Sequence, residues 1–147
     1  MAAQKVTMVA RLLLEKRGNL LFLAQTTKNG GKYSLVGGKV DNAELATDAL
    51  VREAMEETGI IVQKEGLRLA HVLQRQKSDN TMMVVLYFSA KEWIGEAENK
   101  EPKKFKGVHW FDMNNLPKNL SRITKKVLTN YQKGILYTEY DERKSAI

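Results

Sequence analysis

The amino-acid sequence predicts an α+β fold, in which helices pack against a mixed β-sheet. Three observations favour this class. Extended apolar segments outnumber helical ones, one of the two helical segments lies between strands and the other follows them, and two long extended segments are joined by a short polar turn. The length of 147 residues favours one domain spanning 1–147, and no repeat or linker rich in Pro, Gly or Ser divides the chain.

The predicted strands are short stretches rich in Val, Leu, Ile and Tyr that lie between turn residues. The first two form a hairpin around Arg17-Gly18-Asn19, and the two longest are joined by the polar turn Lys77–Asn80. The predicted strands are Val6–Leu14, Leu20–Ala24, Tyr33–Val36, Ile60–Val62, Leu67–Gln76, Met82–Ala90 and Val108–Phe111.

Two helices are predicted. Leu45–Thr58 is dense in Ala, Leu, Met, Glu and Arg, which favour helices, and Gly59 stands where a helix commonly ends in a left-handed conformation. Leu120–Lys133 has apolar residues at helical spacing.

Composition excludes several classes of protein. There is no cysteine, so neither a disulfide framework nor thiolate chemistry is available. The longest apolar runs are shorter than the roughly 20 residues that cross a bilayer, so we expect no membrane association and a cytoplasmic location. The net charge of +7 is compatible with an anionic partner or with an ordinary basic surface. The lysines cluster in Lys100–Lys106 and Lys118–Lys133.

The first predicted helix carries a group of carboxylates. Glu53, Glu56 and Glu57 are spaced at i, i+3 and i+4, which places them on one side of a helix. Like charges in this arrangement repel one another, and a bound cation would remove the repulsion. Oxygen ligands suit Mg²⁺ or Mn²⁺ better than zinc or copper. Three glutamates alone are also compatible with a solvated helix face.

Residues around this group strengthen the metal hypothesis. Arg52 can reach Glu56 at i+4, where a guanidinium would orient the carboxylate and keep it ionised. Gly37 and Gly38 allow tight backbone geometry before the helix, and an exposed carbonyl there can add a metal ligand.

Together these residues resemble the Nudix box. That pattern is Gly, five residues, Glu, seven residues, Arg-Glu, an aliphatic residue, any residue, Glu-Glu, any residue, Gly and an aliphatic residue. The matching residues are Gly38, Glu44, Arg52-Glu53, Ala54, Glu56-Glu57, Gly59 and Ile60. Three positions depart from the family's habit: Ala54 is small, Val36 replaces a common Pro, and Leu45 replaces a common Ser or Thr cap.

The resemblance, which is to the small MutT-type branch, implies the Nudix fold, an α/β/α sandwich around a mixed sheet. It implies hydrolysis of a diphosphate linkage in a nucleoside diphosphate joined to another group, with Mg²⁺ or Mn²⁺ as cofactor. By resemblance, Glu56, Glu57 and the Gly38 carbonyl bind metal, and Glu53 is a further ligand or the base. Arg52 orients the glutamates.

Further roles are open on sequence alone. Glu101 lies in the loop where some relatives carry an additional base or ligand, with Glu98 as its competitor, and Glu44 is a weaker candidate. Lys39 and Arg75 are candidates for contacting substrate phosphates. Asn119 corresponds to a base-contacting residue in MutT-type relatives, or else it caps the last helix.

Four aromatic or imidazole side chains are assigned to structure. Trp93 and Trp110 can stack on a base, but packing against the sheet is the preferred interpretation. His71 and His109 have no partner visible in the sequence that would make either a general base.

The substrate is inferred by elimination. The Pro or Tyr that marks ADP-ribose or diadenosine-polyphosphate hydrolases beyond the box is missing from Gln74–Lys77, and Thr26–Val36 lacks the coenzyme A motif. These absences favour a nucleoside triphosphate, oxidised or not, cut to monophosphate and pyrophosphate.

The sequence leaves alternatives. The basic charge keeps an RNA 5′-end pyrophosphohydrolase open, the fold alone keeps a non-catalytic nucleotide-binding regulator open, and a generic basic nucleic-acid binder is the least favoured. The chain is expected to be a monomer or a homodimer.

Overall fold

A computed structural model describes residues 3–144 of the chain. Within them the chain forms eight strands, two α-helices and two short 3₁₀ turns at Thr27–Asn29 and Lys64–Gly66. In chain order the elements are β1 (Lys5–Lys16), β2 (Asn19–Gln25), β3 (Tyr33–Ser34), β4 (Val36–Lys39), α1 (Ala46–Thr58), β5 (Arg68–Gln76), β6 (Thr81–Ala90), β7 (Phe105–Asp112), α2 (Arg122–Gln132) and β8 (Tyr137–Asp141).

The strands form one mixed sheet in the order β3-β2-β1-β6-β5-β8, to which β4 adds beside β1 and β7 beside β2. The pairs β1/β6 and β5/β8 are parallel, and the other pairs are antiparallel. Because β1 pairs with β2 only at its last two residues, the edge beside Val9–Leu12 is left for β4. This division of one edge brings β4 to the centre of the sheet.

The two faces of the sheet build two separate cores. Successive residues of a strand point to opposite faces, so the apolar run of β1 serves both. Ala10, Leu12 and Leu14 pack with Leu50 and Ala54 of α1. Val9 and Leu13 pack on the other face in the core that includes α2. The arrangement confirms the α+β class and the helix–sheet–helix layers.

The caps of the two helices differ. Leu45 precedes α1 in an extended conformation, and its side chain makes no cap hydrogen bond. Gly59 ends α1 at φ 76°, the left-handed conformation that the sequence predicts. At α2 the cap is Ser121, whose side chain accepts a hydrogen bond from the Thr124 N–H at 3.1 Å. Asn119, the other residue considered for this cap, lies outside the helix.

The predicted strands that became β1, β2, β6 and β7 are present and longer than predicted. The strand predicted to begin at Leu67 begins at Arg68, and the predicted strand Tyr33–Val36 is divided between β3 and β4. Ile60–Val62 forms only an isolated bridge, between Ile61 and Ile94. Strand β8 was not predicted. None of the helices among residues 3–144 has the length and apolar character needed to cross a membrane.

Candidate active site

The strand β4 and the helix α1 meet at Gly37, and Gly37 admits no side chain. Its φ is +137°, and a Cβ there would lie 2.1 Å from the Ala10 carbonyl oxygen. This close approach aims the Gly37 N–H at α1, where it donates to the Glu57 carboxylate at 2.9 Å. Glu57 is only 4% exposed. The glycine therefore fixes a buried carboxylate at the end of the helix.

Gly38 makes the second contact between the two elements. A Cβ at Gly38 would lie 2.9 Å from the Glu53 Oε1 atom and 3.1 Å from its carboxyl carbon. The space beside the backbone is thus already filled by a carboxylate. Glu53 and Glu57 both face the glycine pair, as the metal hypothesis requires.

Arg52 connects the remaining acids of the helix. Its Nε and Nη2 groups donate to the two oxygens of Glu44 at 2.9 and 3.0 Å, a paired geometry that suits a guanidinium. Its Nη1 group donates to Glu53 at 2.9 Å and to Glu56 at 3.3 Å. The contact with Glu56 agrees with the i+4 prediction. The main partner, however, is Glu44, which the sequence ranked as a weak candidate.

The electrostatics of the group are unbalanced. Burial raises the pKa of Glu57 to about 8, and the charges of Glu53 and Glu101 add to this, against the Gly37 hydrogen bond. Burial also raises the pKa of Glu53, although Arg52 opposes the change. The hydrogen bond to Arg52 instead lowers the pKa of Glu44. One arginine therefore satisfies the outer acid and leaves the inner two short of positive charge.

The loop before β7 brings one more acid to this group. The loop is joined to the end of α1, because the Glu98 N–H donates to Thr58 O and the Lys100 N–H to Glu57 O, both at 3.0 Å. Glu101 is only 24% exposed and lies near enough to raise the pKa of Glu57. Glu98 is 66% exposed and pairs with Lys100 at 3.0 Å. The structure therefore brings Glu101, and not Glu98, to the site.

A cleft of about 450 Å³ opens beside Gly38 on the α2 face of the sheet. Its floor is one face of β1, β5 and β6, and the start of α2 forms one wall. The lining residues include basic, apolar and hydroxyl side chains: Arg11, Lys32, Lys39, Arg75, Val9, Leu73, Met83, Val85, Tyr87, Ile123, Tyr33, Ser34, Ser121 and Thr124, together with Gln25 and Gly38.

Two of the three candidate substrate residues line this cleft. Lys39 is exposed next to Gly38. Arg75 lies on the floor, where its Nε group donates to Glu142 at 2.6 Å. Asn119 is exposed and not among the lining residues, and its amide donates to Gly31 O at 2.6 Å. Its backbone carbonyl accepts from the Tyr33 N–H, so it supports a lining residue from outside.

The histidines and tryptophans lie away from the carboxylates. His71 is 1% exposed and hydrogen-bonded to Ile135 O at 2.9 Å and to Thr138 Oγ1 at 2.7 Å. His109 packs edge-on against Tyr33. Trp110 is 36% exposed and stacks on Trp93 with 5.8 Å between ring centroids, so it packs on the sheet without entering a core.

Three residues at the site were missed by sequence reasoning. Arg11 donates to Leu35 O at 3.0 Å and to Gly37 O at 3.1 Å, and these hydrogen bonds fix the backbone at the start of β4. Its only signal was a charge inside an apolar strand. Lys104 pairs with Glu101 at 3.2 Å, and the charges of Glu53 and Glu57 contribute to its raised pKa. Glu142, the partner of Arg75, gave no signal because it lies 67 residues away in the chain.

The residues present fit a divalent cation by donor type, since carboxylate and carbonyl oxygens are the ligands that hard cations prefer. Among residues 3–144, no three His, Cys, Asp or Glu side chains are already grouped as a metal site. Arg52 draws Glu53 and Glu56 toward itself. Glu56 is 50% exposed, whereas the Gly37 N–H holds the buried Glu57 carboxylate in place.

Comparisons with known proteins agree with this geometry. The profile of the NUDIX domain matches residues 4–131. An ADP-ribose pyrophosphatase of Methanocaldococcus jannaschii is 32% identical over 124 residues, which are 82% of this chain and 70% of that protein.

Solved structures show the same fold. A MutT NUDIX hydrolase from Burkholderia pseudomallei superposes with a TM-score of 0.76 at 25% identity, over 86% of this chain and 98% of the other. A MutT protein from Methanosarcina mazei Go1 has the same TM-score at 17% identity, over 90% and 97% of the two chains. The profile match spans most of the chain and contains the glycine strand and the carboxylate helix. The chain therefore belongs to the Nudix family of pyrophosphohydrolases.

Proposed function

We propose that this protein uses Mg²⁺, with Mn²⁺ as the alternative, to hydrolyse a nucleoside triphosphate, oxidised or not, to nucleoside monophosphate and pyrophosphate. The family cleaves a diphosphate linkage in a nucleoside diphosphate compound, and this proposal specifies the substrate and the metal within that reaction. A cytoplasmic location, where nucleotides are abundant, belongs to the same proposal.

The cleft beside Gly38 is the observation that supports a single-nucleotide substrate. Its volume of about 450 Å³ lies at the lower end of the range usual for small-molecule sites. Lys39 adjoins the carboxylates, and Leu73, Val85 and Ile123 lie along the floor and wall. The cleft is thus charged at the end near Gly38 and apolar along its floor. This arrangement matches a molecule with phosphates at one end and a flat base at the other.

The proposed roles follow from the contacts. Glu56, Glu57 and the Gly38 carbonyl would hold the cation, with Glu53 beside them. The bound cation supplies charge stabilisation for the transferring phosphoryl group and favours ionised water. Arg52 positions Glu53 and Glu56 by hydrogen bonds. Glu101 accepts the proton of the attacking water in this proposal, because its carboxylate lies beside the group and is partly accessible to solvent.

Glu101 suits a proton acceptor for a further reason. Lys104 contacts its Oε2 atom at 3.2 Å, which helps to fix the position of the carboxylate. The backbone of the same loop is closed around it: Asn99 accepts from the Glu101 N–H at 3.1 Å and donates to Phe105 O at 2.7 Å. A base must be held within reach of its water, and this loop is well ordered by hydrogen bonds to do so.

ADP-ribose is the second candidate substrate. It is favoured by the archaeal relative that bears the name ADP-ribose pyrophosphatase and shares 32% identity. It is opposed by the absence of the ADP-ribose mark in Gln74–Lys77, where Gln76 is buried in the hairpin and Arg75 is paired with Glu142. The two candidates make different products, so one assay separates them.

An RNA 5′ end and a purely regulatory role remain testable alternatives. Lys28 and Lys32 lie beside the loop Lys103–Lys104, which is joined to Thr26 by a backbone hydrogen bond of 2.9 Å. Such a basic rim binds phosphodiesters in a strongly salt-dependent way. A regulator would bind nucleotide without turning it over.

A substrate panel with product identification tests the proposal. Nucleoside triphosphates, their oxidised forms, ADP-ribose and a triphosphorylated RNA are incubated with Mg²⁺ or with chelator, and products are resolved by mass spectrometry. The proposal expects monophosphate and pyrophosphate from a free triphosphate, with loss of turnover in chelator. Preferential cleavage of ADP-ribose to AMP, preferential cleavage of RNA, or binding without cleavage would each replace it with the corresponding alternative.

A further inference from the structure

The C-terminal strand lies outside the part of the chain that matches the family. The NUDIX profile ends at residue 131, and β8 begins at Tyr137. Strand β8 extends the sheet by running parallel to β5, with the register Val72–Tyr137 to Gln76–Asp141. It therefore borders the floor of the cleft, to which β5 contributes Leu73 and Arg75.

Strand β8 is firmly docked. Thr138 is 2% exposed, and its hydroxyl contacts His71 Nε2 at 2.7 Å and accepts from the Asn130 amide at 2.9 Å. Tyr140 packs against the core on the α2 side. The register places Thr138 beside Leu73 and Tyr140 beside Arg75. By alternation, these β8 residues point to the cleft face of the sheet, and Glu139 points to the opposite face.

Glu142 follows β8 and binds one edge of the Arg75 guanidinium. Its Oε1 atom accepts from Arg75 Nε at 2.6 Å and also contacts Nη2. The second oxygen accepts from the Ser78 N–H at 3.4 Å, and the Glu142 N–H donates to Gln76 O at 2.9 Å. Both residues are mostly shielded from solvent, with 30% of Arg75 and 21% of Glu142 exposed.

This contact leaves the Nη1 side of the guanidinium available to a ligand. Nε and Nη2 lie on one side of the planar group, so Nη1 is turned away from Glu142. Within residues 3–144, the hydrogen bonds and ion pairs of the Arg75 guanidinium are made through Nε and Nη2, and none is made through Nη1. Because Glu142 already balances its charge, Arg75 acts as a directed donor more than as a free cation.

The position of Arg75 tells which end of a nucleotide it meets. The strands β4, β1, β6 and β5 are neighbours in that order, so β5 lies three strand spacings from Gly38, about 14 Å across the sheet. Val72 is the β5 residue in register with Gly38, and Arg75 lies three residues further along the strand. A diphosphate bound at Gly38 does not extend that far. The residues between them on the cleft floor, Val85 and Leu73, are apolar.

We propose that Glu142 is a positioning residue that presents Arg75 Nη1 to a hydrogen-bond acceptor on the nucleoside end of the substrate. The C-terminal strand, which lies beyond the residues that match the family profile, thus becomes a specificity element of the cleft. The inference rests on the proposed function in placing a nucleotide in the cleft, but its test does not need turnover.

Binding of nucleotides that are not cleaved provides the test. Nucleoside triphosphates with an α,β-methylene bridge and the matching monophosphates, in the adenosine and guanosine series, are titrated calorimetrically into the full chain. The variants are Glu142→Gln, Arg75→Lys, Arg75→Ala and the double variant of Arg75→Ala with Glu142→Gln. Glu139→Gln is the matched control, since it removes a carboxylate from the neighbouring strand β8 on the face opposite the cleft. Circular dichroism checks that each variant is folded.

The proposal expects Glu142→Gln to weaken binding by about 10-fold, to the same extent for monophosphate and triphosphate analogues. Arg75→Lys keeps the positive charge but loses the planar guanidinium, and we expect it to weaken binding by a similar factor. This variant keeps Glu142, so it tests the contact even if Glu142→Gln destabilises β8. Glu139→Gln binds within about 2-fold of the wild type, and the double variant is no weaker than Arg75→Ala, because both act through one contact.

Additive losses, equal effects of Glu139→Gln and Glu142→Gln, unchanged binding by Glu142→Gln, or weakening of the triphosphate alone would overturn the proposal. Failure of the wild type to bind any analogue would overturn it as well. Turnover is measured separately. If the wild type hydrolyses the triphosphate but Glu142→Gln binds the analogues as tightly as the wild type, only this inference is refuted. If Glu142→Gln weakens binding but the wild type does not hydrolyse the triphosphate, only the proposed reaction is refuted.

Discussion

Glu57 and His71 are both buried titratable side chains, and their surroundings differ in one respect. His71 is 1% exposed, and both of its ring nitrogens have partners, Ile135 O and Thr138 Oγ1. Glu57 is 4% exposed and accepts one hydrogen bond, from Gly37, while Glu53 and Glu101 place negative charge beside it. One site is complete as it stands, and the other is crowded with like charge.

This difference separates a structural site from a functional one. A satisfied buried polar group stabilises a particular packing; here it joins β5 to β8. A buried carboxylate surrounded by like charge lowers stability unless a cation is added. Such a group costs stability but can serve binding or catalysis, and residues with perturbed pKa values therefore cluster at functional sites.

The largest effect is expected at Glu57 itself. Glu57→Gln keeps the size and the Gly37 hydrogen bond but removes the charge of a proposed metal ligand, so we expect turnover to fall by at least about 10²-fold. Initial rates of pyrophosphate release with Mg²⁺ give the measurement. Glu65→Gln, on the exposed turn Lys64–Gly66, is the matched control. Near-native rates in Glu57→Gln would mean that the crowded site is not the catalytic one.

The next effect distinguishes the two loop acids. Glu101→Gln is expected to lower kcat by about 10²-fold, the usual contribution of a general base. Glu98→Gln is expected to stay within about 2-fold, because Glu98 pairs with Lys100 on the surface. If both variants behave alike, the loop does not supply the base.

A smaller loss is expected when the glycine contact is filled. Gly38→Ala would bring a Cβ to 2.9 Å from Glu53 Oε1, so the carboxylate must move. We expect kcat to fall by about 10-fold from this misplacement, with unchanged circular dichroism. Gly66→Ala, where a Cβ meets nothing within 4 Å, serves as the control. Equal rates for the two variants would show that the position of Glu53 is not critical.

The smallest effect concerns stability at the structural site. Burial lowers the pKa of His71 below 6.5, so the folded state prefers the neutral ring. The unfolded state then binds more protons as the pH falls, and the contribution of His71, fully present above pH 6.5, is lost toward lower pH. Urea unfolding of the wild type and His71→Gln should therefore show a difference in free energy of unfolding that shrinks below pH 6.5. A difference that grows on acidification would contradict the buried neutral assignment.

The sequence predicted the parts of the molecule that depend on local pattern. Helix α1 was found because good helix formers precede Gly59, and its acids were found because their spacing is that of one helix face. The glycine pair was correctly associated with Glu53 and Glu57. These features lie within about twenty residues of one another, so their geometry follows from one strand, one loop and one helix.

Long-range contacts were not predictable in the same way. Strand β8 is short and mostly polar, and its place in the sheet depends on contacts such as that of His71 with Thr138, which join segments 67 residues apart. Arg75 and Glu142 have the same separation. Asn119 illustrates the same limit, because residue type and position suggested a base contact or the cap of the last helix, whereas the cap is Ser121 and the Asn119 amide donates to Gly31 O. Only the tertiary arrangement decides such cases.

Binding of Mg²⁺ is the most direct test of the central claim that the carboxylates of α1 tolerate their crowding because they hold a cation. Thermal unfolding of the wild type and of the double variant Glu53→Gln with Glu57→Gln is followed over a range of Mg²⁺ concentrations. A ligand that binds only the folded state raises Tm with its concentration. We predict such a rise in the wild type and its loss in the variant, which should itself be the more stable protein without metal at pH 9. An equal response of both proteins to Mg²⁺ would contradict the account.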